Sequence, residues 1–209
     1  MVADLLLFLC SVVLISMSVI VMPGPIFAVT VAKGHGDKNA GCFIALGHGI
    51  IELPLMFLIY LGLAKFLTSE MVRALIGMVG GVLLIFMGLQ MFKGRKNIPS
   101  GSKDLSYGSV AAGLITTGSN PHFFLWWVTV GTTFILTAGT FGFIGFLLFA
   151  IVHWSCDFLW SLFISVVTFK SKQIWNERIH RILVTVCSAV LIMFGLRFVI
   201  SVFSICLMG

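Results

Sequence analysis

The stretch VIVMPGPIFAVTV, residues 19–31, places a Pro-Gly-Pro triplet inside an otherwise apolar segment. Proline lacks a backbone N–H and its ring clashes with the carbonyl one turn earlier, so Pro23 and Pro25 interrupt a helix here. Unsatisfied backbone groups are costly in hydrocarbon, and such a break persists only where it faces protein or a water-filled cavity. The triplet therefore predicts a broken transmembrane helix whose second half begins beside a cavity.

The composition of the chain is that of a protein whose solvent is the lipid bilayer. Of its 209 residues, 59% are hydrophobic and 10% are charged, whereas soluble domains carry about 25% charged residues. So few charges cannot cover a water-facing surface, which indicates an integral membrane protein. The net charge of +6 comes from short loops, so no nucleic-acid partner is expected.

Six apolar segments are long enough to cross a bilayer, which takes about 20 residues each. They cover residues 5–32, 40–66, 71–92, 109–138, 141–169 and 179–206. A basic connection rich in Gly and Ser, residues 93–108, separates a first unit (residues 1–92) from a second unit (residues 109–209). The sequence predicts an all-α membrane protein with six transmembrane helices.

Lys and Arg are distributed unevenly among the connections. Ten of the 13 lie in the first, third and fifth connections, and only Lys65 and Arg73 lie in the second and fourth. The positive-inside rule then places the odd-numbered connections in the cytoplasm. We expect a multi-pass protein of the cell (plasma) membrane with both termini outside.

The two units resemble each other in the order of their landmarks. Three pairs correspond between the first unit and the second: Pro23-Gly24-Pro25 with Ser119-Asn120-Pro121, His48 and Glu52 with His153 and Asp157, and Gly88-Leu89 with Gly195-Leu196. Because each unit has three spans, an odd number, the second unit must be inverted. This predicts two inverted three-helix repeats with broken helices in spans 1 and 4, the architecture of many secondary transporters.

Four ionisable residues lie at membrane depth in spans 2 and 5. His48 and Glu52 are four residues apart and share a helix face, and His153 and Asp157 do the same. A lone charge at the bilayer centre costs at least about 2.5–3.5 kcal/mol. One interpretation is that these groups face a central cavity, where they bind a cationic group or carry protons. The alternatives are hydrogen-bonded pairs that hold helices together, or, with Cys156, a divalent-metal site.

The breaks suggest where an amphipathic solute would bind. A half-helix that begins at the Pro-Gly-Pro break has positive potential suited to a carboxylate, and Asn120 can cap the half-helix of span 4. The candidate substrate-binding residues are Pro23, Gly24, Pro25, Phe27, Glu52, Asn120, Pro121 and Asp157. The candidate proton-coupling residues are His48, Glu52, His153 and Asp157. No P-loop is present, no cofactor is expected, and nothing indicates a soluble enzyme.

The order of these motifs resembles the LysE/RhtB family of amino-acid exporters over essentially the whole chain. Pro-Gly-Pro in span 1 is followed by GCFIALGHGIIELPL in span 2 and by an Asn-Pro break in span 4, and GHGIIELP and GSNPHFFLWW look most like archaeal members. Pro23, Gly24, Pro25, Asn120 and Pro121 match the family pattern. His122 departs from it, because many bacterial members have another residue after Asn-Pro.

The resemblance implies a six-span exporter that moves amino acids or related small amphipathic solutes outward, driven by a gradient of H⁺ or Na⁺. The wider superfamily also contains metal-ion exporters, so a divalent-metal exporter is the second hypothesis. A membrane enzyme or a packing subunit without transport is the third. The glycine pairs of the spans would allow a homodimer.

Overall fold

A computed structural model describes residues 2–21, 24–62, 70–95, 108–171 and 177–208. Every regular element within these ranges is helical. In chain order the elements are α1 (Val2–Ile20), α2 (Pro25–Gly34), α3 (Ala40–Tyr60), α4 (Glu70–Gly94), α5 (Ser109–Gly118), α6 (Pro121–Trp126), a π-helix (Trp127–Gly131), α7 (Thr132–Gly139), α8 (Gly142–Ser171) and α9 (Glu177–Met208).

The helices agree with a protein that crosses a membrane. Four stretches of the described chain are long and apolar enough to span by length and composition: Val2–Ile20, Ala40–Tyr60, His122–Gly139 and Gly142–Ser171. The described apolar parts of α4 and α9 are shorter, Met78–Gln90 and Val184–Ile200. The prediction of an all-α membrane protein is confirmed at this level.

Spans 1 and 4 are each interrupted next to a proline. Pro25 is the first residue of α2, preceded by Gly24 in an extended conformation, and Gly24 offers no side-chain cap. Pro121 is the first residue of α6, and the side chain of Asn120 accepts a hydrogen bond from the His122 backbone N–H at 3.1 Å. Proline suits the first position of a helix because the N–H it lacks has no partner there. The predicted cap by Asn120 is present.

The helices pack around two central ones, α3 and α8. These contact each other, α3 also packs against α5, and α8 also packs against α1 and α2. The helices α4 and α9 pack against each other along their length. They approach closely at two glycines, since a Cβ added to Gly81 would lie 2.7 Å from the Gly195 carbonyl oxygen.

Two apolar clusters fill the interior at different levels. The first consists of Phe8, Val12, Leu55, Met56, Ile59, Trp127, Ile135, Ala138, Phe146, Phe149 and Ala150. The second consists of Ala28, Val29, Ile44, Leu84, Met87, Ala112, Cys187, Leu191 and Phe198. Along α3, Ile44 belongs to the second cluster and Leu55 to the first. His48 and Glu52 lie between them in sequence, so the polar side chains of α3 separate the two clusters.

The outer surface of the bundle is strongly apolar. Leu14 is 72% exposed and Ile144 is 71% exposed. Large apolar side chains point outward in this way on helices from both halves of the chain. Such a surface is unfavourable in water and suits contact with lipid tails.

Candidate functional site

Four side chains from α3 and α8, called the tetrad below, form a closed ring of imidazoles and carboxylates. Within α3, His48 Nε2 lies 3.0 Å from Glu52 Oε1. Within α8, His153 Nε2 lies 3.6 Å from Asp157 Oδ2. Between the helices, His48 Nε2 lies 3.8 Å from Asp157 Oδ1, and His153 Nε2 lies 3.4 Å from Glu52 Oε1. Each imidazole therefore faces both carboxylates.

The tetrad is almost entirely removed from the protein surface. Glu52 is 1% exposed, and the side chain of Asp157 is 15% exposed. Glu52 Oε2 and Asp157 Oδ2 are buried and have no hydrogen-bond partner among the described residues. Burying carboxylates is expensive unless they are paired with positive charge. The site thus has acceptor capacity for a positively charged ligand.

Two hydroxyl groups each contact the Nδ1 atom of one imidazole. Thr117 Oγ1 of α5 lies 2.8 Å from His48 Nδ1, and Ser16 Oγ of α1 lies 2.7 Å from His153 Nδ1. Both hydroxyl residues are buried. With Nδ1 engaged in this way, Nε2 of each ring points at the carboxylates.

Aromatic rings enclose His153 near the point where the helix changes from α to π winding. The π-helix begins at Trp127, and the ring of Trp126 stacks on His153 with centroids 5.4 Å apart and an interplanar angle of 19°. Trp127 and Phe149 also contact this imidazole, at centroid distances of 5.1 and 5.9 Å. The imidazole of His153 is thus surrounded by aromatic rings on the sides away from the carboxylates.

The other predicted site residues lie at the two helix breaks. Pro23 lies outside the described residues. Gly24, Pro25 and Phe27 form the start of α2, and no hydrogen bond or ion pair within the described residues joins them to the tetrad. Asn120 engages the first turn of α6 through its side chain, and Pro121 begins that helix. The structure therefore brings together the four predicted ionisable residues, and the turn that follows the Asn120-Pro121 break reaches them, since the rings of Phe123 and His48 lie 5.4 Å apart.

A subset of the tetrad has the composition of a divalent-cation site. One donor atom from each of His48, Glu52 and Asp157 lies within 4.8 Å of the other two. Imidazole and carboxylate are common ligands of Zn²⁺ and related ions. Cys156 does not join this group within the described chain, since its thiol donates to the Val152 carbonyl oxygen at 3.3 Å.

The buried tetrad can hold a positively charged group: protons, an ammonium group or a metal cation. Comparison with known protein families gives the context for this chemistry. The family model of LysE type translocators matches residues 17–202. The chain belongs to the LysE type translocator family. No curated protein and no solved structure matches it.

As a LysE type translocator the chain is a multi-pass membrane protein that moves small solutes. The resemblance inferred from the Pro-Gly-Pro and Asn-Pro motifs is confirmed. The match includes both helix breaks and the whole tetrad, whereas Ser16 and most of α1 precede it.

Sequence reasoning did not identify Ser16 and Thr117 as neighbours of the imidazoles. Nothing in their immediate sequence distinguishes them from other hydroxyl residues of the spans. The only available signal was position, because each precedes the break of its span by a few residues. Trp126 and Trp127 follow the Asn-Pro break in the sequence, but their contact with His153 is seen only in the folded structure.

Proposed function

We propose that this LysE type translocator exports amino acids or related small amphipathic solutes in exchange for protons, with the tetrad as the shared binding site. The observation that carries this proposal is the buried ring of two imidazoles and two carboxylates between α3 and α8. Intramembrane ionisable groups of this kind mark substrate and proton pathways in transporters. We place the protein in the plasma membrane, where such export is useful.

The hydrogen bonds around His48 support the proposal that the tetrad holds a proton. Thr117 Oγ1 lies 2.7 Å from the Gly113 carbonyl oxygen, which can only accept, so the hydroxyl proton is directed there. The hydroxyl oxygen must then accept from His48 Nδ1–H. In a neutral imidazole this leaves a lone pair on Nε2, which faces Glu52 Oε1 at 3.0 Å. Two lone pairs at this distance repel each other unless a proton or another cation lies between them.

The substrate ammonium would occupy the same place as this proton. Glu52 and Asp157 each have a buried oxygen that accepts no hydrogen bond from the described residues and can accept one from an ammonium group. Since proton and ammonium use the same carboxylates, each excludes the other. Mutual exclusion is the condition for exchange, so that a proton enters as a solute leaves. His48 and His153 are the proposed route of the proton, and Na⁺ is the alternative coupling ion.

The substrate carboxylate would bind at the helix breaks. The first turn of α2 has no side-chain cap at Gly24, which leaves its backbone N–H groups for an anion near Pro25 and Phe27. Pro23 precedes this turn. The Asn120-Pro121 break would border the solute from the opposite half, with the α6 turn already capped.

Two pairs of reciprocal contacts support the proposal that the two halves of the chain are inverted repeats. The contact of His48 with Asp157 corresponds to that of His153 with Glu52, and both are present. Gly81 approaches the Gly195 carbonyl, and Gly88, the counterpart of Gly195, approaches the Ser188 carbonyl at 2.9 Å from an added Cβ. We propose that the cycle moves residues 1–92 and 109–209 relative to each other around the tetrad, with residues 93–108 as the cytoplasmic connection.

A divalent cation is the second candidate cargo. The donors of His48, Glu52 and Asp157 within 4.8 Å of one another favour it. In that case the exchange with protons is the same, but the solute has no carboxylate and does not need the break at α2. Amino acids and divalent cations are thus distinguished by their dependence on the Gly24–Phe27 turn.

The test is solute flux in proteoliposomes that contain the wild type, Glu52→Gln or Asp37→Asn. Asp37 provides the control because it is an acid in the connection before α3, and an amide oxygen can still accept its bond from Asn39. We expect amino-acid flux driven by a pH gradient in the wild type and the control. Glu52→Gln should reduce it by at least about 100-fold, as expected for loss of a buried charge.

The panel holds the common amino acids and several divalent cations, each with a pH gradient, a Na⁺ gradient or neither. Flux of a divalent cation alone would replace the amino-acid proposal with the second candidate. Flux that follows the Na⁺ gradient would replace the proton. Equal flux in wild type and Glu52→Gln would remove the tetrad from the transport path.

A further inference from the structure

The two hydroxyl contacts of the tetrad have the same arrangement in both halves of the chain. Thr117 on α5 holds His48 on α3, and Ser16 on α1 holds His153 on α8. Each bond therefore joins one half of the chain to the other. Each hydroxyl also lies on the segment that precedes the break of its span, α1 before Gly24 and α5 before Asn120.

These bonds differ from the other hydroxyl contacts of the bundle. Most described Ser and Thr side chains donate to a carbonyl of their own helix, as Thr116 does to Ala112 at 2.6 Å. Such bonds satisfy a polar group in an apolar setting and link nothing else. Thr117 has this bond to Gly113 and in addition contacts an imidazole of another helix. The second contact is not required for satisfying its hydroxyl.

We propose that Ser16 and Thr117 are positioning residues that couple the movement of the two broken spans to the state of the tetrad. Each hydroxyl fixes which nitrogen of its imidazole faces the carboxylates. A shift of α1 or α5 that breaks the bond frees the ring to turn or to exchange the proton between its nitrogens. The cation held between imidazole and carboxylate is then released. This inference rests on the proposed function for its effect on transport, but the hydrogen bond itself does not.

The test compares Thr117→Val with Thr116→Val. The two threonines are adjacent and fully buried, and each donates to its own helix, but only Thr117 contacts an imidazole. Valine has nearly the same shape as threonine, so the packing is retained in both variants. Thr117→Ser keeps the hydroxyl and serves as the rescue, and Ser16→Ala tests the corresponding bond to His153.

The first readout is the ¹⁵N NMR spectrum of histidine-labelled protein, with the His48 signals assigned from a His48→Gln sample. In the wild type, Thr116→Val and Thr117→Ser, we expect His48 Nδ1 to carry its proton throughout. In Thr117→Val the proton should distribute over both nitrogens. An unchanged His48 spectrum in Thr117→Val would overturn the positioning role, whatever the transport assay gives.

The second readout is solute flux with and without a pH gradient. Thr117→Val should lower the gradient-driven flux by about 10- to 100-fold, the range for a hydrogen bond to a charged group. Thr116→Val should stay within about threefold. If gel filtration shows that Thr117→Val does not fold, Ser16→Ala takes its place. It should lower the gradient-driven flux by the same factor. Equal losses in Thr116→Val and Thr117→Val would overturn the proposal. Absence of flux in the wild type would contradict the proposed function. The NMR spectrum would then be the test of whether Thr117 keeps the proton on His48 Nδ1.

Discussion

Glu52 is the residue on which most of the site depends. It is 1% exposed and faces both imidazoles, His48 at 3.0 Å and His153 at 3.4 Å. Removing one partner from a buried charged group leaves the other uncompensated, which costs about 3–5 kcal/mol. Replacing both partners by apolar groups costs much less. The stability of the protein should therefore depend on the pairing rather than on either residue alone.

A double-mutant cycle on His48 and Glu52 tests this dependence. His48→Leu and Glu52→Leu should each lower the free energy of unfolding by about 3–5 kcal/mol, and the double variant should lose clearly less than the sum. The measurement is unfolding in mixed micelles of mild detergent and dodecyl sulfate. The control cycle pairs Glu52→Leu with His122→Leu, because His122 contacts Phe194 and Phe198 instead of the tetrad. Additive losses in the His48 cycle would contradict the pairing.

The sequence predicted the four ionisable residues of the site but not the hydroxyls beside them. Charges at membrane depth are rare, so each of the four was conspicuous, and spacing by four residues put each pair on one face. Serine and threonine are tolerated in transmembrane helices because they bond to their own backbone. Thr129 and Thr133 do so to the carbonyls of Leu125 and Thr129. Nothing in the sequence separates these from Thr117.

At the level of single elements, the proline positions were predictable and the π-helix was not. Proline acts through its own covalent structure, so the starts of α2 and α6 follow directly from Pro25 and Pro121. The π-helix at Trp127–Gly131 depends on packing instead. Trp127 is buried against Phe149 and His153, and a Cβ at Gly131 would overlap the Trp127 ring. Such a fit is visible only once the helices are assembled.

The crossing of α4 and α9 gives an element-scale prediction. A Cβ on Gly195 would lie 2.6 Å from the Gly81 carbonyl oxygen, a backbone atom that cannot yield without moving its helix. Gly195→Val should therefore separate the helices and lower the free energy of unfolding by about 1–3 kcal/mol. Gly139→Ala is the control, because its nearest neighbour would be the Tyr60 ring at 3.7 Å. Unfolding in mixed micelles measures both, and equal stability of Gly195→Val and wild type would show that the two helices are not tightly packed.

At the scale of the whole molecule, the all-helical architecture was predictable, whereas the lengths of the helices beside the breaks were not. Under the repeat, α1 corresponds to α5, yet α1 has 19 residues and α5 has 10. The helix that matches α5 in length is α2, which also has 10 residues, and the two contact each other. Hydrophobicity marks where a chain enters lipid, but it does not mark the depth at which packing places a break. The proposed symmetry is thus close at the tetrad and looser in the broken spans.

The proposed inversion of the halves requires a definite membrane topology, which can be measured residue by residue. Three sites test it in a background without native cysteines: Asp37→Cys, Leu61→Cys and Thr140→Cys, which follow the ends of α2, α3 and α7. From the excess of Lys and Arg in the odd connections, Asp37 should be cytoplasmic and the other two sites external. A membrane-impermeant maleimide should label Leu61→Cys and Thr140→Cys in intact cells. It should label Asp37→Cys only after permeabilisation.

The labelling pattern tests two properties of the protein separately: its orientation in the membrane and the inversion of its two halves. Reversed labelling at all three sites would contradict the orientation derived from Lys and Arg, but the halves would still be inverted. Labelling of Asp37→Cys and Leu61→Cys from the same side would mean that α3 does not cross the membrane. In that case His48 and Glu52 would no longer face an inverted partner across the bilayer centre. Exchange of a proton for a solute between the two sides would then lose its structural basis, because alternating access needs both halves to span.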